Sequence, residues 1–145
     1  MASEVETSGQ CLCGAVRLAV KGTPARMAQC HCKDCQRATG TGHASNAFFR
    51  AEDVEITGET KSFTLTADSG NALTRHFCPV CGARMYGTNT GRPGMVVVPV
   101  GVLDDTSWFA PQAVVYVRSR PAWDITAETV PNFEAMPPPP PAPQR

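Results

Sequence analysis

The 145-residue sequence predicts a mainly β protein, built of antiparallel sheets with tight connections and only short helical turns. Three observations predict it. Two segments, MVVVPVGVL from Met95 and AVVYVRS from Ala113, are rich in β-branched residues and flanked by turn formers. The gaps between apolar segments are too short for the repeated crossover helices that a parallel sheet requires. No stretch carries apolar residues at helical spacing over the length of a long amphipathic helix.

Each element can be justified in order. In CGAVRLAV, residues 13–20, Val16, Leu18 and Val20 share one face, with Arg17 and Lys21 on the other, as in a half-buried strand. GTP at 22–24 turns the chain, and ARMAQCHC continues extended. KDCQRAT, residues 33–39, suits one or two helical turns stopped by Gly40, with Asp34 as candidate cap. HASNAFFR, residues 43–50, reads as a strand carrying Phe48 and Phe49. Residues 54–78 read as two or three short strands broken at Gly58 and at DSGN, Asp68 to Asn71, the clearest hairpin in the chain. GARMYGTN is a strand leaving the last cysteine pair.

Hydrophobic residues make up 42% of the chain, which suits an ordinary folded protein, and 13 basic side chains balance 13 acidic ones. No net positive field draws in nucleic acid, so that partner is disfavoured. MASEVETSGQ has no basic region followed by an apolar run, and the longest apolar stretch is too short to cross a bilayer. The expectation is a cytoplasmic protein without a membrane partner.

Seven cysteines fit a disulfide framework poorly, because the count is odd. Their spacings are Cys11-x-Cys13, Cys30-x-Cys32-x-x-Cys35 and Cys78-x-x-Cys81, which point to metal. Residues two apart on an extended segment point the same way, so Cys11 and Cys13 can grip one ion from a strand edge. CPVCG instead suits a turn whose N–H groups face the thiolates. Two partitions satisfy the chemistry. In one, Cys11, Cys13, Cys78 and Cys81 close a structural site, leaving Cys30, Cys32 and Cys35 as an open one. In the other, Cys32, Cys35, Cys78 and Cys81 make a zinc ribbon, and three cysteines are left over.

Three thiolates on Zn2+ leave one coordination position for water, a substrate oxygen or a thiol that zinc would ionise. The competing completion is a histidine, with His43 and His76 the candidates by sequence distance; His31 points away if its segment is extended. An iron–sulfur centre is the remaining alternative, although no ferredoxin run is present. The expected organisation is a single zinc-binding domain over residues 1–135, followed by a disordered proline-rich tail over 136–145.

GQCLCGAVRLAV, CHCKDCQRATG, RHFCPVCGARMY, RSRPAWDI and VPNFEAMP together resemble the glutathione-dependent formaldehyde-activating enzyme family, which includes centromere protein V-like proteins. The resemblance implies an Mss4-like, zinc-pinned assembly of antiparallel strands. It implies one structural zinc on Cys11, Cys13, Cys78 and Cys81, and a labile catalytic zinc on Cys30, Cys32 and Cys35. The implied activity is a carbon–sulfur lyase reaction on a small thiol–aldehyde adduct, forming or cleaving S-hydroxymethylglutathione, with glutathione or another thiol as cosubstrate. The alternative is a non-catalytic, zinc-stabilised binding or chaperone-like module. Nucleic-acid association is suggested only by the centromere-protein branch.

Several other residues are candidates. Arg37 could hold a substrate carboxylate or stand as an exposed helical arginine, and Phe48 could wall the ligand pocket. Phe49, Trp108 and Phe109 could wall the same pocket but suit the core better, and Trp123 is expected to pack. His43 is the candidate proton shuttle, since imidazole titrates near neutrality. The sequence departs from the family at Val114, where members often carry histidine. Arg118 and Arg120 nearby suit solvated positions better than carboxylate binding.

Overall fold

The computed structural model describes residues 3–138. Its strands in chain order are β1 (Val5–Gln10), β2 (Arg17–Gly22), β3 (Arg26–Cys30), β4 (Ala44–Arg50), β5 (Val54–Thr57), β6 (Lys61–Thr66), β7 (Ala72–Phe77), β8 (Arg84–Asn89), β9 (Met95–Pro99) and β10 (Ala113–Val115), with helix α1 (Lys33–Thr39) between β3 and β4. The mainly β class and the short helix are as expected. The chain divides into two compact units, residues 3–27 with 45–110, and residues 28–44 with 111–138. The tail expected over 136–145 lies, from residue 139 onward, outside the described residues.

The first unit holds a three-stranded antiparallel sheet, ordered β1-β2-β5. Sequence periodicity finds no strand before Cys11, because VETSGQ is polar. Its inward positions are Val5 and Gly9. Gly9 is required there because any Cβ would collide with the Val102 carbonyl, where the chain crosses β1. β2 begins at Arg17 rather than Cys13, and turns Leu18 and Val20 into the core.

Strands β4, β9, β8, β7 and β6 follow one another as antiparallel neighbours. The Asp68–Asn71 hairpin forms as predicted: Ala67 N–H donates to the Asn71 carbonyl at 2.9 Å, and Gly70 takes the left-handed φ of 88° that its turn needs. Alternate residues Ala47, Phe49, Val96 and Val98 are buried. Phe49 is fully enclosed, with the Trp108 ring edge-on at 6.0 Å.

In the second unit β10 runs parallel to β3, pairing Ala113 with Ala28 and Val115 with Cys30. A purely antiparallel arrangement fails here because β10 arrives through a long connection, which imposes no hairpin geometry. Residues 131–135 then follow β10, with Phe133 N–H donating to the Val114 carbonyl at 2.8 Å. Val114 is fully buried in this strand. Trp123 does not pack as expected and is 69% exposed. It flanks Asp124, the residue of that loop that turns inward.

Candidate metal centre

Cys11, Cys13, Cys78 and Cys81 converge in the first unit, their sulfurs all within 4.8 Å of one another. Cys11 and Cys13 lie in the turn between β1 and β2, not on a strand edge as their spacing suggested. Gly14, with φ 83°, closes that turn, and its N–H donates to the Cys11 carbonyl at 3.1 Å. The second pair repeats the design. Gly82 has φ 79° and donates to the Cys78 carbonyl at 2.9 Å. Each turn aims N–H groups at sulfur: Val16 at Cys11 (3.2 Å), and Val80 and Cys81 at Cys78 (3.4 and 3.5 Å).

The Cys11–Cys13 and Cys13–Cys78 sulfur separations are both 3.7 Å. A disulfide needs about 2.05 Å. Four thiolates at about 2.3 Å around a tetrahedral zinc stand about 3.8 Å apart, so this donor set fits such an ion. Burial works to raise the Cys11 thiol, but the Val16 N–H and the neighbouring sulfurs outweigh it and bring the pKa down to about 6. The Ala15 N–H works to lower Cys13, yet burial and the thiols of Cys11, Cys78 and Cys81 push it up to about 11. Backbone N–H groups of Ala83 and Cys13 lower Cys81.

Cys30, Cys32 and Cys35 form a second cluster, wholly within the second unit, also within 4.8 Å. Cys30 ends β3, Cys32 caps α1 and Cys35 lies in its first turn. The helix cap is thus a thiol rather than Asp34: Cys32 Sγ accepts from Cys35 N–H at 3.2 Å. Cys32 and Cys35, with burial, push the Cys30 thiol upward. Among the described residues no histidine or carboxylate joins the trio at that distance. A three-sulfur donor set with no fourth side chain fits a metal with an open position.

The histidines go elsewhere. His76 stacks on Tyr86 in the first unit, with centroids 4.2 Å apart, and burial lowers its pKa. His31 and His43 gather around Asp124. His43 Nδ1–H donates to Asp124 Oδ2 at 2.8 Å, and His31 Nδ1 lies 3.3 Å from the same oxygen. His31, fully buried, is also held by the Gly42 carbonyl at 2.8 Å and the Thr126 hydroxyl at 3.1 Å. Two ligands of one tetrahedral zinc stand about 3.3 Å apart at nitrogen–oxygen bond lengths. At 2.8 Å the His43–Asp124 contact is a hydrogen bond instead.

Gln29 fixes the other end of His43. Its Oε1 accepts from Ala127 N–H at 3.1 Å, so its NH2 faces His43 Nε2, at 3.5 Å. Gln29 and His31 alternate with Cys30 along the extended chain, which puts this group on the opposite side from the Cys30 sulfur. Asp124, Gln29 and Gly42 carry no local sequence signal. Only the long-range return of residues 121–127 reveals them.

Arg37 is exposed in the last turn of α1, where the helix dipole favours a cation. Phe48 lies in the first unit, under the guanidinium of Arg92 at 4.8 Å. Arg118 sits over the Tyr116 ring at 5.5 Å, and Arg120 approaches Glu128 at 3.8 Å.

No helix of the described residues is long and apolar enough to cross a membrane. A crystal structure of a Rhodobacter sphaeroides protein matches with a TM-score of 0.55 and 22% identity, over 69% of this chain and 90% of that one, a likeness of fold. The family model for glutathione-dependent formaldehyde-activating enzyme matches residues 6–119, spanning both cysteine clusters. The chain therefore belongs to the glutathione-dependent formaldehyde-activating enzyme family.

Proposed function

We propose that this protein is a zinc-dependent carbon–sulfur lyase acting on a small thiol–aldehyde adduct, S-hydroxymethylglutathione or a close analogue. One observation carries the reading: three sulfurs of one short segment converge with no fourth side-chain ligand among the described residues. Cys11, Cys13, Cys78 and Cys81 would hold a structural zinc, and Cys30, Cys32 and Cys35 a catalytic one. Zinc bound by the trio supplies a Lewis-acidic position that keeps a thiol ionised near neutral pH. In the forming direction the sulfur pair makes the C–S bond, the C=O π pair moves to oxygen, and that oxygen takes up the thiol's proton. Cleavage reverses each movement.

The protein's own residues hold the trio. Cys32 caps α1 with its sulfur, and Gln36 ties the helix back to the His31 and Ser119 carbonyls at 2.8 and 2.9 Å. Asp124, Gly42 and Thr126 lock His31, the residue between two of the cysteines. His43 shares Asp124 on that same side of the chain. The geometry supports a positioning role for it more than the proton-shuttle role read from the sequence.

Cys35→Ser is the test. Turnover of the adduct is expected to fall by orders of magnitude while the thermal transition of the first unit stays in place. Equal loss of activity and stability, or unchanged turnover, overturns the assignment.

A further inference from the structure

Phe48 belongs to a row that crosses five strands. The register pairs Phe48 with Val97, Val97 with Gly87, Gly87 with Arg75, and Arg75 with Phe63. Residues opposite one another on an antiparallel ladder point to the same face. Neighbouring positions Ala47, Phe49, Val96 and Val98 are buried in the core, so this row occupies the other face. Its middle position has no side chain. A Cβ on Gly87 would meet, within 4 Å, only the Thr74 carbonyl, at 3.1 Å. The row is a trough with its floor at Gly87, Val97 and Phe48 to one side and Arg75 and Phe63 to the other.

Charge is segregated here. The five strands carry Arg50, Lys61, Arg75 and Arg84 but no aspartate or glutamate, in a chain whose net charge is zero. Arg50 is neutralised by Glu52 and Asp53. Arg75 Nε is buried and makes no hydrogen bond among the described residues. Folded proteins leave few such donors unpaired. Arg92 lies over the Phe48 ring at 4.8 Å, with Arg26 at 5.9 Å. Guanidinium groups recognise carboxylate and phosphate oxygens through paired N–H donors.

We propose that this face of the sheet binds the oxyanion of a small molecule, a carboxylate or a phosphate. The charged group would sit on Arg75 above Gly87, with the body of the ligand against Phe48 and Arg92. The site uses first-unit residues only and none of the Cys30, Cys32, Cys35 trio, so it stands or fails separately from the lyase reading.

The experiment is NMR of the full-length, metal-loaded chain labelled with 15N-arginine, titrated separately with glutarate and with inorganic phosphate. A saturable shift of the Arg75 Nε–H signal is expected with at least one of them, and the one that saturates tells carboxylate from phosphate. Arg75→Gln, followed through the Arg92 Nε–H signal, should weaken binding about tenfold or more, because it removes the charged fork. Arg92→Gln should weaken it about threefold through loss of the half-buried cation over the Phe48 ring. Lys21→Gln, on the other sheet, should change nothing. Gly87→Val should fill the trough and abolish binding with Arg75 intact; if that variant does not fold, Arg75→Gln decides. No saturable shift with either anion, or unchanged affinity in Arg75→Gln, overturns the proposal.

Discussion

Cys78→Ser removes one corner of the closed cluster, and the cost can be worked from the geometry. Cys13 and Cys78 are 65 residues apart in sequence and 3.7 Å apart at sulfur. Fastening a loop of that length removes about 4 kcal/mol of unfolded-state entropy on the chain-closure relation. Structural zinc in small domains contributes about 10–16 kcal/mol of apparent binding free energy. A domain has only about 5–15 kcal/mol in total. Even the smaller effect is therefore a large share, and the larger one is comparable to the whole. The assay is urea unfolding followed by Trp108 fluorescence, with bound zinc measured by atomic absorption. Trp108 packs against Phe49 in this unit, whereas Trp123 is exposed and contributes a nearly constant background. The variant should lose its cooperative transition together with the structural metal. A native-like transition with stoichiometric zinc would refute the reasoning.

The remaining predictions follow from the second unit and the loop before it. His43→Asn should lower metal occupancy at the trio and turnover in parallel, measured by zinc content and steady-state rate. Lost turnover at full occupancy would instead make His43 a proton-transfer group. Asp105 accepts the Ser107 N–H at 3.0 Å, and that bond holds its carboxyl below the ordinary value. A lowered carboxyl contributes stability above its unfolded pKa and loses it as pH falls through the folded one. Thermal unfolding should thus separate Asp105→Ala from the parent near pH 7, with the gap narrowing as pH falls toward the carboxyl's folded pKa. A gap that persists in acid would show that the carboxylate charge is not its source.

Much of the fold was legible because its signals are local. β-branched runs marked β9 and β10, Gly40 marked the end of α1, and DSGN marked the β6–β7 turn. β1 was not legible, since its burial depends on Val102 crossing Gly9 and leaves no apolar alternation. The parallel pairing of β10 with β3 was hidden for a similar reason: register between distant strands is written in no short segment. Spacing separated the cysteines into pairs, and two partitions survived it. The structure gathers all seven into the closed four and the open three. Cysteines one residue apart suit a strand or a turn equally, and Gly14 at positive φ was the overlooked indication of a turn. The Asp124 group was missed because its members join across 81 residues of sequence.

X-ray absorption at the zinc edge tests the open trio most directly. Zinc-loaded protein should show an average of about 3.5 sulfurs per metal, four at one site and three at the other. Saturating glutathione should raise that average to about four, as the added thiol completes the second site. An average of four before any thiol is added, or no rise afterward, would contradict an unfinished coordination shell.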